Sequence, residues 1–180
     1  MSVRIVIVGY GRMGKAIDRL SSNYGCEVVE RLDIHNNQDG QGLDAPTLDN
    51  VDVAIEFSLA SSVVTNVTKL ANRGINVVIG TTGWDEHETT LRKVVEESGI
   101  GVVHAANFSL GVNIFKAIVK ESARLFSRQE DFGTWIHEGH HAEKKDAPSG
   151  TALSLKQEIY KSGYELSLIH ISEPTRRTPI

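Results

Sequence analysis

A chain of 180 residues is long enough for one ordinary domain and part of a second, and 40% apolar residues suffice for a buried core. A net charge of −4 gives no case for nucleic acid or an anionic membrane surface, and no apolar run is long enough to span a bilayer. The single cysteine, Cys26, excludes an intrachain disulfide framework and suits a reducing cytoplasm; ahead of Val28 and Val29 in a strand-like run, it reads as a buried, inert thiol.

The chain opens without the pattern of a signal peptide. Residues 3–8 form a short β-branched run, typical of a strand buried on both faces. The run ends at Gly9, Tyr10, Gly11, Arg12, Met13 and Gly14, a G-x-G-x-x-G that leads into helical residues 15–20. Alone that pattern is weak. Between a strand and a helix it is the fingerprint of dinucleotide binding. Gly9 then allows a tight turn, Gly11 a close approach to a pyrophosphate, and Gly14 close packing of helix on strand. The alternative is a bare structural turn.

Residues 27–33 predict a second strand. Asp33 closes it about 24 residues beyond Gly9, near the roughly 20-residue spacing of a ribose-binding acid. A carboxylate there accepts from ribose hydroxyls and repels a 2′-phosphate. Ile34 and His35 follow, with no arginine to meet that phosphate, although Arg31 is near. This leans toward NADH over NADPH. The alternative is a strand-end acid capping a turn.

Residues 36–50 are polar and read as a loop or irregular connection. A third strand is expected at residues 51–58, then a helix at 62–73 with Ser58 and Ser61 as candidate caps and Gly74 as its stop. Residues 75–79 are a fourth strand running into Gly80, Thr81 and Thr82. A helix at 85–98 carries acids early and ends at Gly99. Residues 100–105 are a fifth strand, followed by Ala106, Asn107 and Phe108. Strands alternating with helices or loops predict a doubly wound parallel α/β sheet. Gly9 to Gly14, Asp33, Phe57, Ser58, Gly80 to Thr82 and Ala105 to Phe108 all fall at strand carboxyl ends, the edge on which open α/β sheets bind ligands.

Residues 112–126 have helical spacing, 127–132 connect, and 134–138 read as a strand in which Trp135 and Ile136 pack rather than bind. Next comes a dense polar segment containing Glu138, His140, His141, Lys144, Asp146, Pro148, Ser149, Gly150 and Thr151. Pro148 pre-sets a first helical turn, and Ser149, Gly150 and Thr151 leave backbone N–H groups free to attract an anion. An imidazole, an ammonium group and an anion cradle suit a small carboxylate-bearing substrate that needs a proton. A polar loop with solvated charges is the alternative. As zinc ligands, His137, His140, His141 and Glu143 fit no H-E-x-x-H helix, and the family resemblance carried by this segment explains the same residues better, so no metal is expected.

The segment E-x-H-H-x-x-K-x-D-x-P-S-G-T-A, residues 138–152, resembles the signature of the 4-hydroxy-tetrahydrodipicolinate (dihydrodipicolinate) reductase family. Residues 80–84 resemble the family's G-T-T-G-[FW] loop beside the nicotinamide ribose. Residues 105–111 resemble its A-N-F-S-x-G run that reaches the nicotinamide. The resemblance implies a Rossmann-type NAD(P)H domain at residues 1–109 and, at 110–165, the start of an α+β substrate and tetramerisation domain. The implied cofactor-binding residues are Gly9, Tyr10, Gly11, Arg12, Met13, Gly14, Asp33, Gly80, Thr81, Thr82, Ala105, Ala106, Asn107 and Phe108. It further implies His140 as proton donor or shuttle, Lys144 as second donor, and His141, Gly150 and Thr151 as contacts to a cyclic dicarboxylate. Family members are implied to be cytoplasmic homotetramers. Most strands of the second domain are expected beyond this chain, so the segment from about Gly133 onward is expected to be loosely held. Residues 166–180 match nothing in the family and read as a foreign, adaptor-derived tail, with Glu165 roughly the last genuine residue; a divergent tail is the alternative.

Overall fold

The computed structural model describes residues 2–140 and 148–164. The chain divides into two compact units, Met1–Ala106 and Asn107–Ile180.

The first unit contains β1 (Val3–Val8), α1 (Arg12–Ser21), β2 (Cys26–Leu32), β3 (Val53–Glu56), α2 (Val63–Asn72), β4 (Asn76–Ile79), α3 (Glu88–Ser98) and β5 (Val102–His104). The strands form one parallel sheet in the order β2-β1-β3-β4-β5. It is the α/β sheet expected from the alternation of strands and helices. Strand periodicity sends Val6, Val8, Ala54, Val77 and Ile79 into one core with Val63, Val67 and Leu70 of α2 and Leu91 of α3. On α2 the buried positions are Val63, Asn66, Val67, Leu70 and Ala71, a single helical stripe. Ile5 and Ile7 are equally buried on β1, with Ile7 against Gly14 of α1.

Two local expectations, the caps of α2 and the burial of Cys26, are corrected, and a third gains detail. Neither Ser58 nor Ser61 caps α2; its N-cap is Ser62, which makes no side-chain cap, after a 3-10 turn at Ala60–Ser62. Ser58 is committed to Glu56 instead. The connection at 36–50 is irregular, as expected, and adds to the core: it forms 3-10 turns at Gln38–Asp44 and Pro46–Leu48, and Leu43 and Leu48 are fully buried. Arg73 at the end of α2 pins it, donating to the carbonyls of Leu43 (3.0 Å) and Ala45 (3.1 Å) and to Asp49 Oδ1 (2.5 Å). Lys69 adds an ion pair to Asp44 at 2.6 Å. Cys26 is half-buried, its thiol 3.7 Å from the Tyr24 carbonyl.

The second unit pairs α4 (Leu110–Phe126) with α5 (Gly150–Lys161), joined by Ala123 and Ile159 with Val119, Ile136 and Tyr164 around them. No strand forms at residues 134–138. Among the described residues no segment of this unit is in strand conformation, so residues 134–138 have no ladder partner there. Ile136 packs as expected, but Trp135 is 72% exposed. No helix among the described residues is long and apolar enough to cross a membrane.

Leu43 tests whether the 36–50 connection belongs to the core. Leu43→Ala is expected to lower the unfolding free energy by about 2–5 kcal/mol, as for other buried leucines. Urea denaturation measures it, and a surface-like loss below about 0.5 kcal/mol would contradict the assignment.

Candidate functional site

The strand ends are in register. Val8 pairs with both Leu32 and Glu56, Glu56 with Ile79, and Ile79 with His104. The next residues, Gly9, Asp33, Phe57, Gly80 and Ala105, therefore leave the sheet along one edge. The ladder closes with Gly9 N–H donating to Leu32 O (2.8 Å), Phe57 to Val8 (2.7 Å), Gly80 to Glu56 (2.9 Å) and Ala105 to Ile79 (3.2 Å). After β1 the chain moves to one side of the sheet, and after β2 it crosses to the other. The switch point thus lies between β1 and β3. A cleft of about 180 Å³ opens there, lined by Gly9, Gly11, Asp33, Phe57, Ser58 and Asn66 among others.

Sterics shape this edge. Gly9 has φ +97°, and a Cβ on it would sit 2.3 Å from the Phe57 carbonyl oxygen. A Cβ on Gly80 would sit 2.1 Å from Phe57 Cζ, and one on Gly14 2.3 Å from the Gly9 carbonyl oxygen. Gly11 is different: nothing lies within 4 Å of its Cβ position. As the N-cap of α1 it has no side chain to occupy the first-turn amides, and a helix start of this kind attracts anions. Arg12 and Met13 in that turn are exposed.

Glu56 was missed in the sequence. It is fully buried at the end of a central strand. Its Oε1 accepts from the Ser58 hydroxyl, the Ser58 amide (3.2 Å) and Asn66 Nδ2 (3.4 Å), and its Oε2 from Thr81 Oγ1 (2.5 Å). Every partner can donate, as a buried carboxylate requires. One side chain thereby ties the loop after β3, helix α2 and the loop after β4. Thr81 in turn accepts the Trp84 indole N–H on its carbonyl at 2.9 Å. The available signal was a lone acid in an otherwise apolar strand.

Asp33 lines the cleft, and its Oδ1 accepts the Ile34 amide at 2.8 Å. Its Oδ2 has no partner among the described residues. Arg31 is occupied: Nε and Nη2 donate to Asp18 at 2.8 and 2.6 Å, and the Tyr10 hydroxyl donates to the same carboxylate at 2.5 Å. The Arg31 hydrogen bonds, followed by that of Tyr10, hold the Asp18 carboxyl below its ordinary value. Hydrogen bonding to Asp18 raises the Arg31 guanidinium and the Tyr10 phenol. This cluster clamps the glycine-rich turn to α1 and β2.

Thr82 is exposed and Ala105 half-buried. Ala106 ends the first unit, whereas Asn107 and Phe108 open the second. There Asn107 Oδ1 accepts the Ser109 amide (2.7 Å) just ahead of α4, and Phe108 is exposed.

In the second unit, Ser149 rather than Pro148 begins the helix turn: it is the N-cap of α5, its Oγ accepting from Ala152 N at 3.1 Å. The Ser149 amide is not free. It donates to Glu138 Oε1 at 2.9 Å, and the Ser149 hydroxyl donates to Glu138 Oε2 at 2.6 Å. His140 Nε2 lies 3.1 Å from the same Oε2. The Ser149 hydroxyl, then the His140 ring and the Ser149 amide, hold the Glu138 carboxyl below its ordinary value against the opposing effect of burial. The amides of Gly150 and Thr151 have no acceptor among the described residues. His140 and Thr151 line one open pocket with Glu138 and Ser149. His141 and Lys144 lie outside the described residues, as does the tail at 166–180.

A family profile described as dihydrodipicolinate reductase, N-terminus, matches residues 3–108, and one described as dihydrodipicolinate reductase, C-terminus, matches residues 111–177. The second match runs into the tail set apart on sequence grounds. A 4-hydroxy-tetrahydrodipicolinate reductase of Christiangramia forsetii is 36% identical over 164 residues, covering 91% of this chain and 66% of the relative. One of Caldanaerobacter subterraneus is 39% identical over 170 residues, covering 88% and 64%. The chain thus spans about two thirds of the length of these curated relatives. A dipicolinate-bound dihydrodipicolinate reductase from Paenisporosarcina sp. TG-14 shares the fold at a TM-score of 0.75 and 24% identity, over 100% of this chain and 72% of that one.

The Asp18 cluster makes a signed prediction. Its folded value is depressed, so its stabilisation is complete above the unfolded carboxyl value of about 3.9 and is lost as pH falls through the lower folded value. Asp18→Asn should be less stable than the parent at neutral pH and converge with it in acid. Denaturation curves across pH check this; a gap of constant size at every pH would contradict it.

Proposed function

The chain belongs to the dihydrodipicolinate reductase family, and from that premise we propose that it carries the machinery for reducing 4-hydroxy-tetrahydrodipicolinate to tetrahydrodipicolinate with NAD(P)H, on the route to diaminopimelate and lysine. The observation that carries this reading is the cleft between β1 and β3. An unobstructed Gly11, uncapped helix amides and the open Oδ2 of Asp33 meet there. A pyrophosphate fits the α1 amides, and ribose hydroxyls fit Asp33. Gly9 and Gly14 keep that turn tight, while Tyr10, Arg12 and Met13 border it. Gly80, Thr81, Thr82 and residues 105–108 are proposed to continue the berth toward the nicotinamide.

The nicotinamide supplies the hydride when bound. The protein's own part is proton supply and substrate holding. His140 is proposed to donate or shuttle a proton, with Lys144 as a second donor. His141 and the amides of Gly150 and Thr151 are proposed to hold the dicarboxylate. A bound carboxylate favours the charged forms of a nearby imidazole and ammonium, keeping them ready to donate. NADH is favoured over NADPH. Asp33 repels a 2′-phosphate, and the nearby Arg31 is already held by two hydrogen bonds to Asp18.

A second reading is a dinucleotide-binding chain without turnover. Every residue that lines the β1/β3 cleft belongs to the first unit, which supports it. Fluorescence titration with NADH and NADPH beside a reductase assay separates the two. Binding with turnover, NADH tighter, is the result expected of the proposed enzyme. Binding without turnover supports the second reading, and no binding by either cofactor overturns both.

A further inference from the structure

Glu138 stands at a junction that its part in the sequence signature does not explain. Its carboxylate bridges the start of α5 and the ring of His140. Oε1 takes the Ser149 amide at 2.9 Å, and Oε2 takes the Ser149 hydroxyl at 2.6 Å while lying 3.1 Å from His140 Nε2. The Ser149 hydroxyl oxygen meanwhile accepts the Ala152 amide at 3.1 Å. That bond uses an oxygen lone pair, so the hydroxyl hydrogen is available to Glu138.

We propose that Glu138 is a positioning residue that fixes His140 with its hydrogen on Nε2, making Nδ1 the ring nitrogen through which His140 exchanges a proton. The inference rests on the reading of His140 as the proton donor or shuttle. The steps follow from donor and acceptor inventory. Ser149, itself a buried residue, presents two donors to Glu138, and an ionised carboxylate only accepts. The depressed Glu138 value agrees with an ionised group. A carboxylate without a proton has nothing to offer Nε2, so the ring must donate. In neutral imidazole the other nitrogen then carries the lone pair. During donation the Nδ1–H bond of the imidazolium breaks, its electron pair stays on Nδ1, and the proton forms a new bond at the substrate. The ring is left neutral with Nε2–H intact. Catalytic triads use a carboxylate on one imidazole nitrogen in the same way.

Long-range hydrogen–nitrogen NMR spectra of the full chain with labelled histidine test this without cofactor or substrate. His140 signals are assigned by their loss in His140→Gln. Recorded at a pH high enough to deprotonate an imidazolium, the expected spectrum of His140 shows a bare Nδ1, a protonated Nε2 and a slowly exchanging Nε2–H proton. In Glu138→Ala the two nitrogen resonances should move toward each other and the slow proton should disappear. A neutral ring in the parent with its hydrogen on Nδ1 and a bare Nε2, or a Glu138→Ala spectrum identical to the parent's, would overturn the proposal. Should Glu138→Ala fail to fold, the parent spectrum decides alone. Loss of the reductase reading shows as absent turnover, a result this tautomer measurement neither needs nor reproduces.

Discussion

Phe57 is the residue around which the carboxyl edge of the sheet is fitted. Its backbone lies where a side chain on Gly9 would have to be, and its ring lies where one on Gly80 would have to be. Two loops from neighbouring strand ends are therefore held against one phenylalanine at distances that tolerate only hydrogen on each α-carbon. Gly9 also needs φ +97°, a conformation side chains rarely adopt. The close fit brings the turn after β1 and the loop after β4 to the same place.

Directly beneath, Glu56 secures the arrangement in polar terms. Removing a carboxylate from water is costly unless its acceptors are filled. Here Ser58, Asn66 and Thr81 fill them, from three separate elements. The Asp18 cluster on the other side of the glycine-rich turn does comparable work with Tyr10 and Arg31. Sterics and hydrogen bonds thus shape the β1/β3 cleft in advance of any ligand, which lowers the ordering cost of binding there. The second unit shows the same strategy on a smaller scale, where Glu138 joins His140 to the start of α5.

Much of the first unit was legible because its signals are local. β-branched runs marked the strands, and Gly99 marked the end of α3. The glycine fingerprint and Asp33 fell in line because the parallel strands, though of different lengths, end in register. What could not be read depends on contacts between distant residues. Leu43 and Leu48 look like loop leucines until Arg73, some 30 positions later for Leu43, is seen holding that loop down. Ser58 looks like a helix cap until Glu56 claims its hydroxyl. The run at 134–138 has strand composition, but a strand exists only with a neighbour to pair with. The exposure of Trp135 was illegible for a similar reason, since a local pattern cannot report what lies beside a residue. The free amide expected at Ser149 was lost to Glu138, a residue already visible 11 positions earlier.

The central claim is that a nicotinamide dinucleotide lies across the β1/β3 switch point. Backbone amide chemical shifts of the full chain, followed as NADH is added, test it most directly. The account predicts saturable shifts concentrated at Gly9, Gly11, Asp33 and Ser58, with the amino-terminal edge of the sheet unmoved. Shifts confined to that opposite edge, or saturable binding that leaves the glycine-rich turn unchanged, would contradict it.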